Sequence, residues 1–250
     1  MTASPHSIDQ HTVLDSVRSA LGRDSTVTPA PLDPFIEVED KADVGELISR
    51  FTQEAEAVRT QVHLLSDKLQ FVADGGEQAV DKLKFVGQVI EHIAEICAER
   101  KGQEIALSGA QLFAEIDLPS ALAARGLAAF VGDGSNHDDL VARLANCGVG
   151  ITCADCAIAE TGTLVLSSDE RNALLVSLLP PVHIAVIRAP QIVASLDQAI
   201  GKLSQEHFGR DDPAHSVSFI TGPSRTSDVE LVLTIGVHGP KELHVIILEM

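Results

Sequence analysis

Apolar residues follow two alternating patterns along this chain: short continuous runs, and longer stretches with helical spacing. At residues 44–59 they recur at steps of three and four, which predicts a helix with one apolar face. Further helices are predicted at 80–100, 118–124, 138–146 and 195–207. Strands are predicted at 61–65, 104–107, 128–131, 163–167, 183–187, 217–220, 231–235 and 243–248. This alternation is typical of an α/β fold in which crossover helices cover both faces of a largely parallel sheet.

The first forty residues have a different pattern. Apolar positions predict a short helix over 8–21, which Gly22 ends. Residues 23–40 carry three prolines among charged and small residues, a composition typical of a linker. We therefore predict two parts: an N-terminal helix with a Pro-bearing linker at 1–40, and one globular domain at 41–250.

The chain is acidic throughout. It contains 36 Asp and Glu residues against 18 Lys and Arg residues, and its formal net charge is -18. An acidic surface repels phosphate backbones and anionic headgroups, so we expect neither nucleic-acid binding nor binding to membrane surfaces. The most apolar stretch, residues 173–187, is interrupted by prolines and polar residues and falls short of a membrane span. The start of the chain does not match a secretory signal, so we expect a cytoplasmic protein without membrane insertion.

One polar cluster stands at the start of a predicted strand. It consists of Glu160, Thr161, Gly162 and Thr163. Ligands of open α/β sheets bind at loops on strand ends, and a glycine there lets a substrate approach the backbone closely. The alternative is a turn in which the hydroxyls and the carboxylate only hydrogen-bond the local backbone. The residues alone leave both interpretations open.

A second polar cluster begins at residue 221. It contains four residues typical of an anion-binding turn: Gly222, Ser224, Arg225 and Thr226. Ser227 and Glu230 match the capping-box spacing of a helix start, and a helix amino terminus attracts anions. Such a turn favours a carboxylate or a phosphate, onto which an arginine can form paired hydrogen bonds. Alternatively, Arg225 pairs with Asp228 on the surface.

Histidines and cysteines supply weaker candidates. His183 lies within a predicted strand and His238 beside a Gly-Pro turn, and imidazole groups titrate near neutral pH. Cys147, Cys153 and Cys156 are spaced C-x5-C-x2-C, one residue off the plant-type ferredoxin spacing. We interpret the cysteines as packing residues, because no second C-x-x-C pair completes a ligand set. No nucleotide-binding fingerprint is present either, and we expect no metal and no cofactor.

Two long sequences make the chain recognisable. Residues 154–187 read ADCAIAETGTLVLSSDERNALLVSLLPPVHIAVI, and residues 221–248 read TGPSRTSDVELVLTIGVHGPKELHVIIL. Together they closely resemble the LUD-domain proteins of the lactate utilization protein C family. The resemblance implies a Rossmann-like three-layer α/β/α sandwich, similar to the sugar-isomerase and CoA-transferase superfamily.

For function, the resemblance implies a non-redox component of the bacterial system that oxidises L-lactate to pyruvate, together with two iron-sulfur partner proteins. The alternative is a stand-alone acyl- or CoA-transferase-like enzyme in which Glu160 attacks an activated acyl group, or a binder of small anions that uses the turn at 224–226. We expect the Glu160 and Arg225 motifs to converge on one pocket at the strand ends, where Arg225 binds a small carboxylate or phosphate.

Overall fold

The computed structural model describes residues 19–20, 42–66, 78–98, 104–132, 137–168, 174–207, 216–227, 233–235 and 238–249. The chain divides into two compact units, Met1–Ile36 and Glu37–Met250. The predicted N-terminal helix and the Pro-bearing linker lie outside the described residues, except Ser19 and Ala20, which are helical. The second unit carries the sheets.

Helices and strands alternate along the second unit, as the hydrophobic pattern predicted. The helices are α1 (Val44–Ala57), α2 (Gln78–Ala98), α3 (Gln111–Glu115), α4 (Leu118–Ala123), α5 (His137–Leu144), α6 (Leu175–Leu178) and α7 (Leu196–His207). The strands are β1 (Gln61–Ser66), β2 (Ile105–Leu107), β3 (Ala129–Val131), β4 (Val149–Cys153), β5 (Cys156–Ile158), β6 (Thr163–Ser168), β7 (Val182–Arg188), β8 (Ile192–Val193), β9 (Ser216–Ile220), β10 (Arg225–Ser227), β11 (Leu233–Ile235) and β12 (Glu242–Glu249). None of the described helices has the length and apolar character needed to cross a membrane.

The centre of the unit is a six-stranded sheet with the order β1-β12-β7-β4-β2-β3. Every neighbouring pair in this sheet runs parallel. The side chains of β7 and β12 are buried along nearly the whole length of each strand. Strands covered on both faces read as continuous apolar runs, which is why the sequence identified these two. The prediction of an α/β fold built on a parallel sheet is confirmed.

One face of the parallel sheet packs against α2, α3 and α4. Ile151 of β4 and Ile184 of β7 meet Ile93 of α2, Phe113 of α3 and Leu122 of α4 in one buried cluster. Alternate residues of a strand point to the same face, so each strand contributes every second side chain to this cluster. Burial of each such side chain stabilises the fold by about 1.5 to 3 kcal/mol.

The opposite face is covered by α1 and by a second sheet with the order β8-β5-β6-β9. That sheet combines parallel and antiparallel pairs. Phe51 of α1 and Leu164 of β6 share a buried cluster with Val245 and Ile247 of β12, and α7 contacts the second sheet through Leu203. The sequence predicted β6 and β9 as strands but did not predict a second sheet, because a strand as short as β5 cannot be distinguished from other apolar runs by periodicity.

Ser195 and Gln198 have the same capping-box spacing in the sequence as Ser227 and Glu230, but the structure differs at the two positions. At the start of α7, the Gln198 backbone N–H donates to Ser195 Oγ at 3.5 Å, and the Gln198 side-chain oxygen accepts from the Ala194 N–H at 2.8 Å. The Ser195 hydroxyl thus satisfies an N–H that the helix leaves open, whereas Gln198 holds the residue before Ser195 rather than Ser195 itself. The predicted helix start at Ser227 is wrong, because Ser227 is the last residue of β10, which pairs antiparallel with β11.

Candidate functional site

The Glu160 motif forms the turn that connects β5 to β6. The Glu160 carboxylate accepts a hydrogen bond from the backbone N–H of Leu196, the first residue of α7, at 2.8 Å. That N–H has no partner within the helix, and negative charge at a helix amino terminus is stabilising. Glu160 therefore caps α7, and its role as a nucleophile or a base stays a prediction.

Two substitutions separate the capping role of Glu160 from a chemical role. Glu160→Ala removes the acceptor, and we expect the free energy of unfolding to fall by about 1 kcal/mol, the usual cost of losing a helix cap. Glu160→Gln keeps an oxygen acceptor, so its loss of stability should be smaller. Urea unfolding followed by circular dichroism measures both losses. Unchanged stability of the alanine variant would contradict the capping role.

The two polar motifs meet through their threonine hydroxyls. Thr161 Oγ1 donates to Thr163 Oγ1 at 2.8 Å, and Thr163 Oγ1 lies 2.7 Å from Thr221 Oγ1. This second hydrogen bond joins residues 58 positions apart. It forms because β6 and β9 pair antiparallel, with Leu164 opposite Ile220. The pairing brings the starts of both motifs together.

Both motifs also pack against the carboxyl end of α1. A Cβ added to Gly162 would overlap the backbone of Ala55, and one added to Gly222 would lie 2.6 Å from the carbonyl oxygen of Val58. These glycines have φ angles of 60° and 73°, which residues with a side chain rarely adopt. Arg225 Nη2 donates to the same Val58 oxygen at 2.6 Å. The end of α1 therefore fixes both turns, a role that no local sequence signal reveals.

Beside the second turn lies a cavity of about 370 Å³, which we name the Arg225 cavity. Its walls are formed by Ser177, Leu178, His183, residues 219–225, residues 238–240 and Leu243. His183 and Leu243 are the second residues of β7 and β12, so the cavity lies near the amino ends of these two strands. Five predicted site residues line it: His183, Gly222, Ser224, Arg225 and His238.

The other predicted site residues lie elsewhere. Residues 160–163 do not line the Arg225 cavity, and Thr163 is connected to its wall by the hydrogen bond to Thr221. Thr226 is the middle residue of β10. Asp228 lies outside the described residues. The two motifs are therefore adjacent, and of the two only the second lines the cavity.

The charge in the wall of the Arg225 cavity is positive, in contrast to the chain as a whole. Among the described residues that line it there is no aspartate or glutamate, although the chain carries a net charge of -18. The hydrogen bond to Val58 holds the Arg225 guanidinium in place. A guanidinium has five N–H donors, so donors remain for a ligand. Such a wall suits a small carboxylate.

His183 is almost completely buried in the same wall, with 1% of its surface exposed. Its Nε2 lies 2.8 Å from Thr152 Oγ1, and its Nδ1 has no hydrogen-bond partner among the described residues. Burial, and to a smaller extent the nearby His244, lowers the pKa of His183 to about 3. His183 is therefore neutral at physiological pH and adds no charge to the cavity.

The three clustered cysteines lie in separate parts of the core. Cys153 packs beside the cluster of α2, Cys147 lies with α5 and α6, and Cys156 lies with α7. Burial raises the pKa of Cys153 to about 12 and that of Cys147 to about 11, so both thiols stay protonated. In the part of the chain that the structure describes, no group of three or more His, Cys, Asp or Glu side chains is placed to hold a metal ion.

A protein family matches most of this chain, and individual relatives match shorter parts of it. The family model of the LUD domain matches residues 35–248. Lactate utilization protein C of Oceanobacillus iheyensis is 37% identical over 101 residues, which are 40% of this chain and 43% of that protein. Lactate utilization protein C 1 of Bacillus mycoides is 35% identical over 156 residues, which are 61% of this chain and 65% of that protein. The chain spans about half the length of the first curated relatives that it matches.

A solved structure shares the fold. The crystal structure of a DUF162 family protein from Deinococcus radiodurans has a TM-score of 0.54 to this chain, covering 83% of this chain and 99% of its own. At 20% sequence identity the likeness shows the fold alone. The family follows from the LUD domain model, which confirms the resemblance seen in the motifs. The chain therefore belongs to the LUD domain family.

Proposed function

We propose that this protein takes part in lactate utilization and binds a small carboxylate in the Arg225 cavity. Relatives that carry the name lactate utilization protein C support the role, with 33% to 37% identity over the matched regions. The ligand class is supported by one observation above all: a fixed arginine in a cavity wall that has no acidic side chain among its described residues.

The wall offers groups that complement a short 2-hydroxy or 2-oxo acid. Arg225 supplies the charge for the carboxylate, and the neighbouring Ser224 supplies a hydroxyl for a second polar group. Leu178 and Phe219 supply apolar surface for a short carbon chain. The neutral state of His183 leaves Arg225 as the group that selects for negative charge.

We further propose that the electrons of lactate oxidation pass to iron-sulfur partner proteins rather than to a group in this chain. The positions of three cysteines support this proposal. Cys147, Cys153 and Cys156 belong to three different hydrophobic clusters, so they do not form one set of ligands for an iron-sulfur centre. In this arrangement the chain binds the carboxylate, and the partners hold the redox centres.

Isothermal titration calorimetry with L-lactate, pyruvate and the uncharged lactamide tests the ligand proposal. We expect the two acids to bind and lactamide not to bind. Arg225→Ala should cost about 1.5 to 3 kcal/mol of binding free energy, the worth of a charged hydrogen bond, which corresponds to roughly 10- to 150-fold weaker binding. Arg125→Ala is the matched control, because this arginine pairs with Glu91 on the surface.

Arg225→Ala also removes the hydrogen bond to Val58, so a second variant is needed to separate loss of ligand binding from a structural effect. Arg225→Lys keeps the positive charge and loses the planar fork, so we expect intermediate affinity at normal stability. Equal affinity of the parent, Arg225→Ala and Arg225→Lys proteins for L-lactate would refute the proposed site. Failure of both acids to bind the parent protein would refute the ligand class.

A further inference from the structure

A second cavity, of about 390 Å³, lies at the other end of β7. Its walls are formed by Ala110, Gln111, Leu112, Glu115, residues 153–155, residues 186–188 and Gln191. We name it the Arg188 cleft. His183, near the start of β7, lines the Arg225 cavity, whereas Arg188 is the last residue of that strand. The two cavities are therefore separate, and neither polar motif of the sequence contributes to the second.

The Arg188 cleft lies where the order of the parallel strands reverses. From β2 the chain continues to β3 on one side of β2, and then to β4 on the other side. The segments that leave β2 and β4 both reach the cleft, at Ala110 and Ala154. In open α/β sheets, ligands bind outside the carboxyl ends of the strands at such a reversal.

Gln191 fixes the loops around the cleft. Its side-chain N–H group donates to the carbonyl oxygens of Ala154 and Asp155, at 3.3 Å and 3.0 Å. Its side-chain oxygen accepts from the backbone N–H of Arg188 at 2.9 Å. One side chain thus joins the loop after β4 to the turn after β7. A site held in this way needs little reorganisation when a ligand arrives.

The two acidic side chains of the cleft accept hydrogen bonds from the protein, whereas its arginine has no acidic partner among the described residues. The Asp155 carboxylate accepts from the backbone N–H of Ser167, and the Glu115 carboxylate accepts from the Gln111 side chain at 2.8 Å. Among the described acidic residues, none forms an ion pair with Arg188. Arg188 is therefore the charged group of the cleft that an incoming anion can neutralise.

We propose that the Arg188 cleft binds a small monocarboxylate, with the Arg188 guanidinium paired to the carboxylate. The planar fork of a guanidinium matches two carboxylate oxygens. Glu115 and Asp155 lie in the same walls and repel added negative charge, which favours a singly charged anion over a phosphate dianion. Leu112 and Val186 provide apolar surface for the body of the ligand. This site stands independently of the function proposed for the Arg225 cavity.

The Nε–H signals of arginine side chains in the 15N-labelled full chain test this proposal. The probes are sodium acetate, L-lactate and inorganic phosphate, each at constant ionic strength. We expect the signal that disappears in Arg188→Lys to shift and saturate with acetate and L-lactate, at lower concentrations than with phosphate. In Arg188→Lys, where this signal is absent, the side-chain amide signals of Gln191 report on the cleft. By this readout Arg188→Lys should bind L-lactate about tenfold more weakly or worse, as expected when a paired hydrogen bond is lost.

Arg125→Lys is the control variant, since Arg125 pairs with Glu91 on the surface. The Arg225 signal is recorded in the same spectra, so failure at one site is distinguishable from failure at the other. Three results would overturn the proposal: an Arg188 signal that does not move, one that moves without saturating, or one that saturates more tightly with phosphate than with either carboxylate.

Discussion

Replacement of Gly150 by alanine should remove a large part of the stability of the domain. β4 passes so close to α6 that a Cβ on Gly150 would overlap the carbonyl oxygen of Val176 and lie 3.1 Å from Pro180 Cγ. A backbone oxygen can retreat only if α6 moves as a whole. Overpacking costs about 1 to 3 kcal/mol where side chains can adjust. We therefore expect a loss of about 3 kcal/mol or more, out of the roughly 5 to 15 kcal/mol typical of a folded domain.

Urea unfolding followed by circular dichroism measures this loss. Gly201→Ala in α7 is the matched control, because a Cβ added there has no neighbour within 4 Å. Alanine in a helix is about 1 kcal/mol more favourable than glycine, so the control should be neutral or stabilised. Ser177 and Leu178 of α6 line the Arg225 cavity, and Gly150→Ala should therefore also weaken carboxylate binding. Stability equal to that of the parent would show that α6 is not tightly packed on β4.

The same close approach explains why the sequence did not reveal β4 and β5. Strands are recognised by branched and aromatic residues, whereas residues 148–158 are rich in glycine, alanine and cysteine. Small residues are needed there because α6 lies directly on Gly150. By contrast, β7 and β12 consist of long buried apolar runs, and this pattern predicts a strand directly. Local patterns therefore identified β12 and β7 and missed β4, the central neighbour of β7, whose composition is set by packing.

The candidate site was partly predictable, because some of its residues form a local sequence motif and others do not. The Gly-bearing turn at 221–225 carries a local signal, and the structure places it at the Arg225 cavity. The contribution of Ser177 comes from α6, which is distant from this turn in sequence. Arg188 was also overlooked, although a charged residue directly after a buried apolar strand is a signal that can be sought. Contacts between distant elements, such as the bond from Arg225 to Val58, have no local pattern at all.

Acid should destabilise this protein through His183 as the pH falls below 6.5. The pKa of His183 is lowered by burial from its ordinary value of 6.5 to about 3 in the folded state. Between these two values the unfolded chain binds a proton at this position and the folded chain does not, so stability rises with pH. The contribution is fully present above pH 6.5 and is lost as the pH falls toward 3. His63, whose pKa burial lowers to about 4, acts in the same direction.

The His183→Gln variant isolates this effect, because glutamine can still hydrogen-bond Thr152 and does not titrate. Each suppressed protonation is worth about 1.4 kcal/mol per pH unit. Urea unfolding at pH 7.5 and pH 4.5 should therefore show the parent losing about 2.7 kcal/mol more than His183→Gln, for the two units below 6.5. His238→Gln, which alters an exposed histidine of the same cavity, is the control and should follow the parent. If His183→Gln also follows the parent, then the pKa of His183 is not lowered in the folded state, and below pH 6.5 Arg225 shares the cavity with a second positive charge.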